Sequence, residues 1–359
     1  MEIFKIDNLT LEYEKNKPII ENISLTINEN EFVSIIGPNG CGKTTLIKSL
    51  AKIMPYKKSL KNKYINFVLK TNLKKFYSNN KIKEFELFNF YSENNKELKI
   101  PFLLNLKNNI YNNNFFKKFI SETKKNNHAK KINEISNSLK MYGKIYFKNK
   151  DLYSYKNKEY AKSVSYVPQI VDFPTDVTVY EFVKMGRFPH TNFFKNNSKE
   201  NEEIVNKSIS LVGLDEYKFN FLNDLSGGQK QRALLALSLA QDTEVIILDE
   251  PTNHLDIRYQ LEIIHLLHDL NHNHNKTIIL VIHDINHAMK FSDRMIVMKD
   301  GQIKYFDKTE KIVNQKIIKE IFGVNAEIIE SQGKKIISDY WIDDLKKLKE
   351  YHEKMEASL

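Results

Sequence analysis

The chain has 359 residues, 41% hydrophobic and 28% charged, enough to bury a large core in about two domains, which excludes disorder throughout. A single cysteine, Cys41, excludes a disulfide scaffold and suits a reducing compartment, and no apolar run reaches the roughly 18 residues that cross a bilayer. The net charge of +10 lies wholly in residues 60–139, with 16 Lys against 6 Glu, and only four Arg occur in the chain, so the charge gives no argument for nucleic acid as a partner.

In chain order, residues 1–55 read as strands followed by a strand-loop-helix unit: EFVSIIG (31–37) is a short apolar run, then comes a glycine-rich loop, and a helix is predicted to begin near Lys43. Residues 60–139 contain 18 Asn together with Phe88, Phe90, Phe115 and Phe116. Such polar low complexity suggests an insertion, parts of which pack on something. The pattern resumes near 140: KSVSYVPQ (162–169) is strand-like, 177–223 is largely helical, and Ser226 is the expected N-cap of the helix in LSGGQKQRALLALSLAQ. EVIILDE (244–250) and TIILVIHD (277–284) are continuous apolar runs of the kind found in parallel strands covered on both faces. RMIVMKDGQIKYFD (294–307) predicts a hairpin turning at Asp300 and Gly301, and the tail from 309 reads as helices and a short β segment.

Chemistry concentrates at the strand ends. Gly37-Pro38-Asn39-Gly40-Cys41-Gly42-Lys43-Thr44 fits the pattern GxxxxGK[ST] between a predicted strand and a predicted helix. The glycines let backbone N–H groups approach phosphate oxygens, Lys43 neutralises β/γ-phosphate charge, and the Thr44 hydroxyl is placed to ligate Mg²⁺. Asp249 closes a buried strand, as a Mg²⁺-holding carboxylate must, and Glu250 beside it is placed to polarise a water attacking the γ-phosphate.

With these comes Leu225-Ser226-Gly227-Gly228-Gln229, which resembles the signature of the ATP-binding cassette (ABC) family and lies 24 residues before Glu250, in that family's order. The resemblance covers nearly the whole chain outside the insertion. It implies an α/β fold: a P-loop NTPase core with a parallel sheet, an antiparallel β subdomain and a helical signature subdomain. One domain would span 1–359, interrupted at about 57–139, with the helical subdomain at 170–225 and a C-terminal extension at 309–359. It further implies that Gln169 is the glutamine sensing Mg²⁺ or water, that His283 contacts the γ-phosphate, that Asn253-His254-Leu255-Asp256 is the D-loop, and that Tyr13 stacks on adenine. Thr44-Thr45 stands where that family more commonly has a Ser-Thr pair, and a serine or a threonine hydroxyl can ligate Mg²⁺ there.

By the same resemblance ATP is sandwiched in an antiparallel homodimer, between one copy's phosphate loop and the other's Ser226, Gly227, Gly228 and Gln229. The pair is expected at the cytoplasmic face of the membrane, driving two copies of a polytopic permease served by a substrate-binding protein, with no nucleic acid. TVYEFVKMGRFPHT (178–191), LAQDTEVIILDEPTNHLDIRYQLEII (239–264) and KEIFGVNAEII (319–329) resemble importer ATPases for iron siderophores, haem and cobalamin, with Gly186-Arg187-Phe188-Pro189-His190 in the part that faces the permease. A zinc or manganese importer shares every catalytic motif. A soluble cassette acting on nucleic acid or ribosomes, or a regulator with poor turnover, are readings from other classes. Two side expectations remain: alkylation of Cys41 hinders ATP binding, and His265, His268, His272 and His274 are a solvated helix end rather than a Zn²⁺ site.

Overall fold

The computed structural model describes residues 1–14, 17–54, 140–169, 171, 173–174, 176–190, 198–253, 255–331 and 334–342. The expected insertion at about 57–139 and residues 343–359 of the C-terminal extension lie outside the described residues.

Two long strands, β1 (Glu2–Glu14) and β2 (Lys17–Asn28), pair antiparallel as alternating apolar positions predict, and β2 turns Ile20, Ile23, Leu25 and Ile27 inward. β3 (Phe32–Ile36) is buried along its whole length and leads through the glycine loop into α1 (Lys43–Leu50). β4 (Lys140–Phe147) and the short β5 (Lys150–Asp151) complete a four-stranded antiparallel sheet in the order β2-β1-β4-β5. Phe147 anchors it, with the Phe4 ring at 5.2 Å and the Tyr160 ring edge-on at 5.2 Å.

The chain then builds β6 (Val164–Val167), the helices α2 (Val179–Lys184), α3 (Ser198–Leu211) and α4 (Gly227–Ala240), and next β7 (Val245–Asp249) and α5 (Ile257–His272). β8 (Thr277–Val281), α6 (Ile285–Phe291), β9 (Arg294–Lys299) and β10 (Gln302–Lys308) follow. The second sheet has the order β10-β9-β3-β8-β7-β6, parallel from β9 to β6, with β10 antiparallel at the edge. The β9–β10 turn carries Asp300 at φ 50° and Gly301 at φ 75°, the left-handed pair that a tight hairpin demands. α7 (Gln315–Phe322) stops at Gly323, and β11 (Asn325–Ser331) and β12 (Lys334–Trp341) form a separate hairpin.

The apolar runs explain the layering. Alternate residues of each central strand enter two separate cores: Phe32, Ile246, Leu248, Ile278, Leu280 and Val297 join the helices α2 to α6 on one face. Val33, Ile35, Ile247, Ile279, Val281 and Ile296 join α1 and the antiparallel sheet on the other. Burial on both faces is why these strands show no polar alternation. Residues 177–223, expected to be largely helical, form α2 and α3 with 3₁₀ turns at Met185–His190, Asp215–Tyr217 and Leu222–Asp224, and 191–197 lie outside the described residues.

Candidate functional site

Register brings the motifs to one edge. Ile35 lies opposite Val281, Asp249 opposite Val281, and Val167 opposite Leu248. The carboxyl ends of β3, β8, β7 and β6 therefore finish level, and the segments leaving them carry Gly37–Thr45, His283, Asp249 with Glu250, and Gln169. A crevice outside the carboxyl ends of parallel strands is where open α/β sheets bind ligands.

The glycine loop is held open by sterics. Gly37 has φ 152°, and a Cβ there would stand 2.2 Å from the Met298 carbonyl oxygen. Gly42 at φ 101° precedes α1 and would press a Cβ to 2.6 Å from Ile20 Cγ2, whereas Gly40 at φ 79° meets nothing within 4 Å. So Gly37 and Gly42 fix the loop against the protein, and Gly40 with Asn39 faces outward. α1 has no side-chain cap, the Lys43 N–H is turned to the Cys41 sulfur, and among the described residues the N–H groups of Gly40, Gly42, Thr44 and Thr45 meet no protein acceptor. Converging free donors at a helix N-terminus make an anion site.

Lys43 is buried, and its ammonium donates to the carbonyls of Gly37 at 2.8 Å and Pro38 at 3.0 Å, bracing the loop from inside. The Thr44 hydroxyl donates to Asp249 Oδ1 at 3.0 Å, and the Tyr166 hydroxyl donates to Asp249 Oδ2 at 3.2 Å. Burial pushes the Asp249 carboxyl up from its ordinary range, opposed by the Thr44 bond and Lys48. Burial also pushes the Tyr166 phenol well up, so it stays a donor.

Glu250 follows at φ 52°, a left-handed turn that swings its side chain away from the strand line. Its Oε1 contacts His283 Nε2 at 2.7 Å, and its Oε2 accepts from both Gln169 and Asn253. Two adjacent carboxylates are thus held in opposite senses, Asp249 toward the phosphate loop and Glu250 toward three polar side chains. The donor set fits a nucleoside triphosphate with a divalent cation: free amides and an ammonium for phosphate oxygens, a hydroxyl and a carboxylate 3.0 Å apart for a hard metal.

Other expected site residues sit elsewhere. Ser226 caps α4 through a reciprocal pair, accepting the Gln229 N–H at 3.3 Å while its own N–H donates to Gln229 Oε1 at 2.8 Å. Ser226 and Gly227 are exposed, a Cβ at Gly227 would meet nothing within 4 Å, and Gly228 lies against Leu255. Among the described residues no hydrogen bond joins Ser226–Gln229 to the phosphate loop of the same chain. Asp256 accepts from the Tyr259 N–H at 3.1 Å as the cap of α5, His254 is outside the described residues, and Tyr13 falls near the end of β1.

The GRFPH run is internal: Arg187 is buried, donating to Asn201 at 2.8 Å and to the Ala240 carbonyl at 2.9 Å, and His190 meets the Gln241 carbonyl at 2.8 Å. It therefore fastens the C-terminus of α4, and Gly186 is needed because a Cβ would reach 2.2 Å from the Leu237 carbonyl oxygen. Cys41 is buried with its thiol pushed up by burial, a poor target for alkylation. The histidines gather no metal-ligating group among the described residues; His265 packs edge-on to Phe291 at 5.0 Å.

Sequence reasoning passed over Tyr166 and did not connect Asn253 to Glu250. Tyr166 had a signal: it stands three residues before Gln169, in the strand that pairs with VIILD.

The ABC transporter family profile matches residues 20–133 and 129–253. The chain is 40% identical over 192 residues to the petrobactin import ATP-binding protein FpuC of Bacillus anthracis, spanning 54% of this chain and 71% of that one. To the iron(3+)-hydroxamate import ATP-binding protein FhuC of Bacillus subtilis it is 29% identical over 314 residues, 88% of this chain and 86% of that one. Its fold superposes with a TM-score of 0.60 on a transporter assigned to the metal-chelate ABC type in an inward-facing conformation, at 19% identity, covering 95% of this chain and 97% of that one. The profile match across the phosphate loop, the signature and the Asp249-Glu250 strand end shows that this chain belongs to the ABC transporter family and has its ATPase fold.

Proposed function

We propose that this chain is the ATP-hydrolysing subunit of an importer that takes up an iron chelate. The observation that carries the ATPase part is the junction at the strand ends, where an uncapped helix start with free amides meets Thr44 hydrogen-bonded to Asp249, and the next residue, Glu250, is held by His283. The iron-chelate cargo rests on likeness to FpuC and FhuC, whose names state petrobactin and iron(3+)-hydroxamate import.

In this reading the amides of Gly40, Gly42, Thr44 and Thr45 and the Lys43 ammonium bind the β- and γ-phosphates, and Thr44, Asp249 and Gln169 hold Mg²⁺. The cation, when bound, neutralises phosphate charge during transfer. Pro38, Asn39 and Cys41 shape the loop, and Tyr13 stacks on adenine. Glu250 accepts a proton from the attacking water, and His283 holds the opposite carboxylate oxygen and faces the γ-phosphate. The contacts of Gln169 and Asn253 with Glu250 tie both flanking loops to that carboxylate, so loop movement on assembly resets where the base points.

A single copy leaves the outer side of the triphosphate open to water. The Ser226–Gly227–Gly228 start of α4, with Asp256 next to the Leu255 that lies against Gly228, closes it from a second copy, giving an ATP-dependent homodimer. The dimer works at the cytoplasmic side of a membrane with a polytopic permease; consistently, no described helix is long and apolar enough to cross a bilayer itself.

The test is Glu250→Gln. Phosphate release is expected to fall by about 100-fold or more, while ATP-bound dimers accumulate on a sizing column. Unaltered turnover would overturn the assignment of the base. Cargo is tested by deleting the gene and supplying ferric chelates or free zinc and manganese: growth failure only on the chelates supports the proposal, and failure only on the free ions refutes it.

A further inference from the structure

Asp249 has two oxygens and two protein donors. Thr44 takes Oδ1 at 3.0 Å from the phosphate-loop side, and Tyr166 takes Oδ2 at 3.2 Å from β6. The Thr44 hydroxyl belongs to the set that would face a cation, so its bond to the carboxylate is the one exchanged on loading. The Tyr166 bond lies on the far side, in a strand paired with β7 through Tyr166–Ile247 and Val167–Leu248, and is in position to persist. Asp249 is 1% exposed, so without Tyr166 its Oδ2 would be a charged acceptor with no water to replace the lost donor.

We propose that Tyr166 is a positioning residue that holds Asp249 Oδ2 from behind and keeps Oδ1 aimed at Thr44 and the nucleotide's divalent cation. This rests on the reading that Asp249 binds that cation. The same strand end serves both carboxylates: Tyr166 fixes Asp249, and three residues later Gln169 reaches Glu250. One is anchored in the sheet and the other lies beyond the strand end, so the metal-side carboxylate stays put when the Gln169 segment shifts.

Groups that orient a metal's carboxylate ligand are worth roughly 10- to 100-fold in metal affinity. In Tyr166→Phe, Mn²⁺ binding in the presence of a non-hydrolysable ATP analogue, read by electron paramagnetic resonance, is expected to weaken about tenfold. Binding of the fluorescent nucleotide without metal should be unchanged, and turnover at saturating Mg²⁺ should stay near the parent value, so the loss sits in the metal requirement. Asp249→Asn must itself weaken Mn²⁺, and Tyr166→Phe must add nothing in that background. If Asp249→Asn leaves Mn²⁺ binding intact, the underlying reading falls. If Asp249→Asn weakens it but Tyr166→Phe does not, only the present inference falls. Should the phenylalanine variant fail to fold, Tyr166→His, which keeps a donor, replaces it: Mn²⁺ affinity within about threefold of the parent supports the proposal, and a loss equal to that of Asp249→Asn overturns it.

Discussion

Two helices of this chain start beside glycines, and their starts are built in opposite ways. α1 follows Gly42 with no side-chain cap, a buried lysine at its first position and a row of free amides. α4 follows Ser226 with both members of a capping box in place, so its first turn is satisfied by its own side chains and stands exposed. A helix end buried without a cap is costly unless a ligand supplies the acceptors. The first start is thus dependent on an anion, whereas the second is complete as folded and offers only what Gly227 and Gly228 leave over.

That contrast breaks most sharply at Lys43. Lys43→Ala should drop ATP hydrolysis by about 100-fold or more, measured as phosphate release, and abolish the rise in Tm that ATP gives the parent protein; a nucleotide present at 100 times its Kd stabilises by about 2.7 kcal/mol. Next is Gly37→Ala. Its Cβ would collide with the Met298 backbone at 2.2 Å, so loss of nucleotide binding with a lowered Tm is expected, whereas Gly40→Ala, which meets nothing within 4 Å, should keep the fold and cost only the strain of its left-handed backbone at φ 79°, about 1–2 kcal/mol. Equal damage from both would refute the division of labour among the glycines.

Ser226→Ala is smaller. Losing the cap costs about 1 kcal/mol, read as a lower denaturation midpoint without nucleotide, while the Tm rise with ATP on the isolated subunit persists. If that rise vanished, the two helix starts would not be independent. The smallest effect concerns Cys41: burial raises its thiol, so alkylation at pH 7 should be slow and quicken as pH rises or denaturant opens the core. Rapid modification of native protein at neutral pH would show the loop floor to be looser than described.

Much of this was legible in the residues. Gly37–Thr44 is a local pattern, since the turn, the positive φ values and the helix start are set by neighbours in sequence. Ser226 with Gln229 is equally local, a cap written within four residues. The apolar runs around Val245 and Thr277 announced strands buried on both faces. The role of Arg187 was not legible, because only the packing of the 185–190 turn on the end of α4 brings its guanidinium to the Ala240 carbonyl and His190 to the Gln241 carbonyl. Tyr166 was silent for a related reason, because its partner is 83 residues away.

By itself, then, the sequence determined which segments bend, cap and cross the core, and which residues can bind phosphate, metal and water, because those properties depend on covalent neighbours and side-chain chemistry. Tertiary structure alone decided that Asp249 and Glu250 are gripped from opposite sides, that Gly186 and Arg187 serve a helix end, and that Ser226 stands apart from its own chain's phosphate loop. Those facts depend on the register of strands distant in sequence, and a hydrogen bond of 3 Å exists only once that register is set.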